Sequence, residues 1–192
     1  MTSLLQWTKS RGLDDLVRAG KVVYGGLSNF PAWRVATAAN SADLRGWTPI
    51  SAIQIEYSLL QRTPERELLP TAERFGLGVM GWSPMAAGIL TGKYRKGERG
   101  RVTELKASVR QSKNDAVVAA VTSVAEEIDA KPSQVAVAWV KAKGVMLVVG
   151  TRAWEQLEDH LGALKLTLSD EQMHRLDAAT AIALGYPHDL NR

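Results

Sequence analysis

The sequence contains no cysteine, and this absence excludes several classes of site together. Its 192 residues offer no thiol for a disulfide, a thiolate zinc site or a thiol nucleophile. Long apolar runs are also lacking, since a run such as that around 145–149 is far too short to cross a bilayer. The first residues, MTSLLQWTKSR, have no secretory core or cleavage site. We therefore expect a cytoplasmic protein with no membrane partner.

The charges are mixed and are not massed into one basic or acidic face. The chain has 24 basic and 20 acidic residues, which gives a net charge of +4. The densest basic stretch, 93–101, indicates either a solvated loop or a local anion site. No basic face is interleaved with aromatic residues, so we expect no nucleic-acid partner. The three histidines, His160, His174 and His188, lack metal-ligand spacing, and we expect no metal site.

Short apolar runs alternate with longer helical patterns along the chain. The predicted strands cover 21–24, 50–57, 78–82 and 145–149. The predicted helices cover 31–45, a segment from 63 to a left-handed stop at Gly76, 117–128, 133–144, 153–161 and 169–179. The last of them begins with a capping box of Ser169 and Gln172. This alternation is typical of a parallel α/β fold.

Two closures of such a sheet are compatible with four strands. One is an open doubly wound sheet, and the other is half of a (β/α)₈ barrel, because a complete barrel takes about 250 residues and eight strands. In both closures ligands bind beyond the carboxyl ends of the strands.

Polar and aromatic groups follow the predicted strands at those ends. Asn29 and Gln54 are amides, which can donate and accept as a carboxamide ligand requires. Trp82 offers a flat face for stacking a ring. The segment 150–152 opens a helix with a glycine and an arginine, which suits an anion. Taken singly, each has an ordinary structural interpretation: a turn former, a buried amide, a core aromatic or a surface cation. Four strand ends that carry such groups on one face of the fold favour a binding site there.

Several segments, taken in order, resemble an aldo-keto reductase. They are LDDLVRAGKV at 13–22, GLSNF at 26–30, QIEYSLL at 54–60, GWSPMAAGILTGKY at 81–94, GTR at 150–152 and EQLEDHLGAL at 155–164. The resemblance covers the chain from about residue 12 and begins just before the fifth barrel strand of that family. It implies the C-terminal half of a TIM (β/α)₈ barrel, with four parallel βα units, a C-terminal helix and a tail. On this resemblance we expect residues 1–11 to be an unmatched N-terminal arm and 12–192 to form the half-barrel.

The resemblance also implies an NADP(H) site, carried over residue by residue. The groups implied to hold the nicotinamide are Ser28, Asn29, Gln54 and the stacking Trp82. Those implied to line the diphosphate are Ser83, Met85, Ala86, Gly88 and Lys93. Those implied to surround the adenosine 2′-phosphate and the adenine are Gly150, Arg152, Gln156, Asp159 and His160. His160 stands where the family usually has asparagine.

The resemblance assigns no catalytic residue to this chain. The family's catalytic Asp, Tyr, Lys and His lie on its first four βα units, which have no matching position here. We therefore expect an aldo-keto reductase-type oxidoreductase that reduces an aldehyde or ketone with NADPH and needs an N-terminal half. The alternatives are a non-catalytic nucleotide-binding half-barrel and an assembly partner. The edges of half a barrel also predict a homo-oligomer or a partner chain that closes it.

Overall fold

A computed structural model describes residues 11–96 and 111–190. The strands are β1 (Gly25–Ser28), β2 (Ile50–Glu56), β3 (Gly78–Trp82) and β4 (Met146–Val148). The helices are α1 (11–18), α2 (Ala32–Leu44), α3 (Leu68–Phe75), α4 (Gln111–Glu127), α5 (Pro132–Ala142), α6 (Trp154–Ala163) and α7 (Asp170–Ala179). Short 3₁₀ turns cover Thr63–Glu65, Ala86–Thr91, Lys93–Lys96 and His188–Leu190.

The chain divides into two compact units, and β2 and β3 contribute residues to both. The first unit comprises Met1–Ile55 and Pro64–Met80, and the second comprises Glu56–Thr63 and Gly81–Arg192. The four parallel strands form one sheet in the order β1-β2-β3-β4. This order follows the sequence without the reversal that a doubly wound sheet requires, and it is consistent with part of a TIM barrel.

The first strand lies later in the chain than the sequence predicts. The predicted strand 21–24 is wrong: Val23 and Tyr24 are exposed, and pairing begins at Gly25. Side chains are excluded there by close packing, because a Cβ built on Gly26 would lie 2.8 Å from the Ala52 carbonyl oxygen. Glycine therefore permits the approach of β1 to β2, although it has a low strand propensity.

The fourth strand is shorter and less covered than its apolar run indicates. It spans only Met146–Val148, and the Met146 side chain is 62% exposed. A run of five apolar residues predicts a strand buried on both faces, so this part of the prediction is wrong. The second and third predicted strands are confirmed, with 50–57 ending one residue earlier at Glu56.

The helices follow their local signals closely. Gly76 ends α3 in the left-handed conformation at φ 63°, as its position predicts. The capping box of α7 is also confirmed, because the Gln172 backbone N–H donates to Ser169 Oγ and the Ser169 N–H donates to Gln172 Oε1. Helix α5 is buried along six consecutive residues, Val135–Val140, as expected for a helix that is apolar all round.

A carboxylate at Asp177 joins three segments of the second unit. Arg62 Nη1 lies 3.2 Å from Asp177 Oδ1, and Lys143 Nζ lies 2.7 Å from Oδ2. The Trp139 indole N–H donates to Oδ1 at 3.1 Å. Arg62 Nη1 also donates to the Asp177 carbonyl and to Thr180 Oγ1. These contacts hold α7 against α5 and against the segment that follows β2.

In the first unit a buried carboxylate at Asp14 fixes α1 to the start of β2. Asp14 Oδ1 accepts the Thr48 backbone N–H at 2.8 Å and its hydroxyl at 3.1 Å, and Oδ2 accepts Arg18 Nε at 2.7 Å. The Thr48 N–H is the main cause that lowers the pKa of Asp14, and Arg18 lowers it further.

We predict that Asp14→Asn lowers the melting temperature at neutral pH and that this difference disappears in acid. Because the folded-state pKa of Asp14 lies below its ordinary value of 3.8, its ionisation stabilises the fold above that pH. That contribution is lost as the pH falls through the folded-state pKa. Thermal melts followed by circular dichroism at several pH values measure it. Asp15→Asn, at an exposed neighbour, is the matched control, and an equal effect of the two changes would contradict the assignment.

Candidate cofactor site

In the first unit, the predicted carboxamide-binding residues come together where β1 and β2 end. Ser28 lies opposite Gln54 in the parallel register, and the Asn29 backbone N–H donates to the Gln54 carbonyl at 3.0 Å. Asn29 has a positive φ of 58°, a conformation that asparagine tolerates better than most residues. Ser28 and Asn29 are exposed and Gln54 is half-buried. The three side-chain types can donate and accept hydrogen bonds at one strand edge.

In the second unit, the segment after β3 forms a tight left-handed turn. Ser83 has φ 59°, Ala86 48°, Ala87 56° and Gly88 88°. The Ala87 N–H donates to Ser83 Oγ at 3.1 Å, and the Ala86 N–H donates to the Ser83 carbonyl at 2.8 Å. The predicted diphosphate-lining residues at 83–88 thus belong to one compact element. Such strained backbone clusters at functional sites.

Lys93 folds back over this turn. A Cβ built on Gly88 would lie 3.0 Å from Lys93 Cε and 3.2 Å from Nζ, closer than an ordinary contact, and the φ of 88° at this position itself favours glycine. The turn thus carries a cation beside its glycine, and a cation in such a position can attract a phosphate oxygen. The basic stretch 93–101 continues into residues 97–101, which lie outside the described part of the chain.

The start of α6 brings together Gly150, Arg152 and Gln156, and all three residues are exposed. The Arg152 backbone N–H donates to Gln156 Oε1 at 2.9 Å. This side-chain contact satisfies one donor and fixes the backbone turn, while the helix N-terminus carries the positive end of its dipole. A guanidinium beside a helix start can bind an anion.

Asp159 and His160 are more deeply engaged in the fold. Asp159 Oδ2 accepts a hydrogen bond from Ser133 Oγ, and Oδ1 lies 3.1 Å from Lys131 Nζ. His160 is 7% exposed, and its Nδ1 is buried with no hydrogen-bond partner in the described residues. Burial lowers the pKa of His160, against a smaller opposing effect of the Asp159 charge. Asp159 therefore ties α6 to the start of α5.

The site residues that the sequence predicts do not include Glu56 and Tyr94, which the structure places beside them. Glu56 ends β2 and is half-buried, and burial raises the pKa of its carboxyl. A signal for it exists, because it lies two residues after Gln54 and so on the same face of the strand. Tyr94 donates its hydroxyl hydrogen to the Ala87 carbonyl at 2.9 Å. No spacing rule predicts this bond.

Trp82 ends β3 next to the turn and is half-buried. Its carbonyl accepts the Tyr57 backbone N–H at 3.3 Å. Among the described residues, no group of three or more His, Asp or Glu side chains could hold a metal ion. Within the same residues, every helix is too short or too polar to traverse a bilayer.

Comparison with known proteins identifies the fold family. Residues 6–181 match the profile of the Aldo/keto reductase family. The uncharacterized oxidoreductase YrpG of Bacillus subtilis (strain 168) is 38% identical over 163 residues, which are 84% of this chain and 50% of that protein.

Aryl-alcohol dehydrogenases are also similar to this chain. A protein of Phanerodontia chrysosporium named aryl-alcohol dehydrogenase (NADP(+)) is 34% identical over 187 residues, which are 92% of this chain and 49% of that protein. The probable aryl-alcohol dehydrogenase AAD4 of Saccharomyces cerevisiae is 34% identical over 183 residues, which are 91% of this chain and 56% of that protein. The chain spans about half the length of these relatives. With the profile matched over most of its residues, the chain belongs to the aldo/keto reductase family.

Proposed function

We propose that this chain binds NADP(H) as the cofactor-binding half of an aldo-keto reductase-type carbonyl reductase. The observation that carries the proposal is the left-handed turn at 86–88 with the Lys93 ammonium folded over Gly88. A cation held against a glycine in a strained turn suits a diphosphate. The name of the Phanerodontia chrysosporium relative supports NADP(+) as the cofactor.

Each group of residues has a role in this proposal that follows from its chemistry. Ser28, Asn29 and Gln54 would hydrogen-bond the carboxamide, and Trp82 would stack on the nicotinamide ring. The residues that would surround the diphosphate are Ser83, Met85, Ala86, Gly88 and Lys93. Those that would bind the adenosine 2′-phosphate and its surroundings are Gly150, Arg152, Gln156, Asp159 and His160. When bound, the cofactor supplies the hydride for reduction of an aldehyde or ketone.

The proton donor for such a reduction would come from sequence outside these 192 residues. Proton donation by a positioned acid usually contributes about 10²–10⁴-fold in rate. We propose that residues 12–192 correspond to the C-terminal half of the barrel, and that the catalytic Asp, Tyr, Lys and His belong to the other half. A carbonyl-reduction assay with and without an N-terminal half would separate this from a nucleotide-binding role without turnover.

We predict that Arg152→Ala weakens NADPH binding about ten- to a hundredfold, because a hydrogen bond to a charged group contributes about 1.5–3 kcal/mol. NADH lacks the 2′-phosphate, so its affinity should not change. Isothermal titration calorimetry with both cofactors measures the difference. Lys165→Ala removes an exposed cation after α6 and should leave both affinities unchanged. Equal losses for NADPH and NADH in the Arg152 variant would remove Arg152 from the 2′-phosphate site.

The edges of the sheet support a proposal of self-association or of a partner chain that closes the half-barrel. Strands β1 and β4 end the strand order, and Met146 on β4 is 62% exposed. An edge strand with an exposed apolar side chain favours pairing with another chain.

We predict that the protein associates at high micromolar concentration and that Met146→Lys reduces this association, since a lysine on an edge strand opposes pairing. Light scattering measures the mass. Leu190→Lys, which changes a 75% exposed leucine in the tail, is the control and should have no effect. A wild-type protein that stays monomeric would contradict the proposal.

A further inference from the structure

The left-handed turn after β3 needs contacts from outside to keep its shape. Ala86 and Ala87 are not glycines, and a left-handed conformation is unfavourable for an L-residue with a Cβ. The hydrogen bonds from 86 and 87 to Ser83 are local, so a competing turn could replace them. Contacts from residues beyond the turn therefore decide which conformation is populated.

Two side chains later in the chain supply such contacts: Thr91 ends the same 3₁₀ turn, and Tyr94 lies in the next one. The Tyr94 hydroxyl donates to the Ala87 carbonyl at 2.9 Å, and Thr91 Oγ1 donates to the Gly88 carbonyl at 2.8 Å. Because a peptide is planar, holding a carbonyl also fixes the N–H of the next residue. The peptide between Ala87 and Gly88 is therefore held at both ends, by Tyr94 at its carbonyl and by the Met85 carbonyl, which accepts the Gly88 N–H at 2.9 Å.

The same tyrosine also contacts the cation. Lys93 Nζ lies 5.1 Å from the centroid of the Tyr94 ring, within the range of a cation–π interaction. A Cβ built on Gly88 would lie 3.6 Å from the Tyr94 hydroxyl and 3.2 Å from Lys93 Nζ. The Tyr94 side chain, the Lys93 ammonium and Gly88 thus lie side by side. Holding the Lys93 side chain in this position costs conformational entropy, because the side chain has many rotamers. The Tyr94 ring offsets part of this cost, since it reduces the number of rotamers open to Lys93.

We propose that Tyr94 is a positioning residue for the cofactor diphosphate: its hydroxyl fixes the Ala87–Gly88 peptide, and its ring holds the Lys93 ammonium over Gly88. This inference rests on the proposed function, because it names the group that shapes the diphosphate subsite. Tyr94 itself donates its hydroxyl hydrogen to the protein backbone. Its effect on the cofactor therefore passes through Gly88 and Lys93.

The test compares ligands that do and do not carry a diphosphate. Tyr94→Phe removes the hydroxyl and keeps the ring. We expect it to weaken NADPH binding by up to about tenfold, because the loss of one hydrogen bond within the protein lowers the fraction of molecules whose turn has the binding conformation. Adenosine 2′-monophosphate carries no diphosphate, so its affinity should stay unchanged. Calorimetric titration of both ligands measures this selectivity, and a thermal melt checks that the variant is folded.

Two further variants make the test specific. Tyr94→Leu removes the ring as well, and we expect a larger loss for NADPH than in Tyr94→Phe because Lys93 also loses its support. Tyr186→Phe removes the same hydroxyl from a tyrosine that is 85% exposed in the tail, and it should leave both affinities unchanged.

The outcomes separate the inference from the function on which it rests. If wild-type protein binds NADPH and Tyr94→Phe binds it equally well, the positioning role is wrong and the proposed function stands. A parallel loss of NADPH and adenosine 2′-monophosphate would show a general structural effect and would also overturn the inference. If folded wild-type protein binds neither ligand, the proposed function is wrong and the inference falls with it.

Discussion

The second unit depends on one carboxylate, that of Asp177, which satisfies cations and an indole from two other segments. Arg62 is only 10% exposed on its side chain and is paired with Asp177. A buried cation that loses its partner destabilises a protein by about 3–5 kcal/mol. Trp139 lies against both cations, with ring centroids 5.3 Å from the Arg62 guanidinium and 5.2 Å from the Lys143 ammonium. The interaction therefore fixes α7, α5 and the segment after β2 together.

The same cluster extends to the end of β3, where the candidate site begins. The Trp139 and Tyr57 rings lie 5.4 Å apart, and the Tyr57 N–H bonds to the Trp82 carbonyl. Gly81 allows the strand to pack closely, since a Cβ there would lie 2.8 Å from Val145 Cγ1. A rigid core therefore supports the backbone of Trp82, and the strained turn follows at once. A fixed scaffold that carries a strained loop is how proteins commonly build binding sites.

The sequence predicts the parts of this structure that depend on local signals. The capping box at Ser169 and the glycine stop at Gly76 are local, and both are confirmed. The predicted strand at 21–24 is wrong because the strand forms instead at Gly25–Ser28, where Gly26 packs closely against Ala52. This contact is non-local, and it outweighs the low strand propensity of glycine. For the candidate site, the resemblance selects the residues, and the structure brings 83–88 and Lys93 into one turn. No signal in the sequence predicts the Tyr94 bond to Ala87, since a contact between a hydroxyl and a carbonyl depends on backbone angles that residue propensities do not specify.

The most direct measurement is a titration of the folded wild-type protein with NADPH, followed by quenching of tryptophan fluorescence, with NADH titrated in parallel. We expect saturable quenching by both cofactors and a lower dissociation constant for NADPH. We also expect less quenching in Trp82→Phe, because that indole would stack on the nicotinamide. A folded protein that shows no saturable response to either cofactor would contradict the proposed cofactor site, and membership of the family would then describe only the descent and fold of this chain.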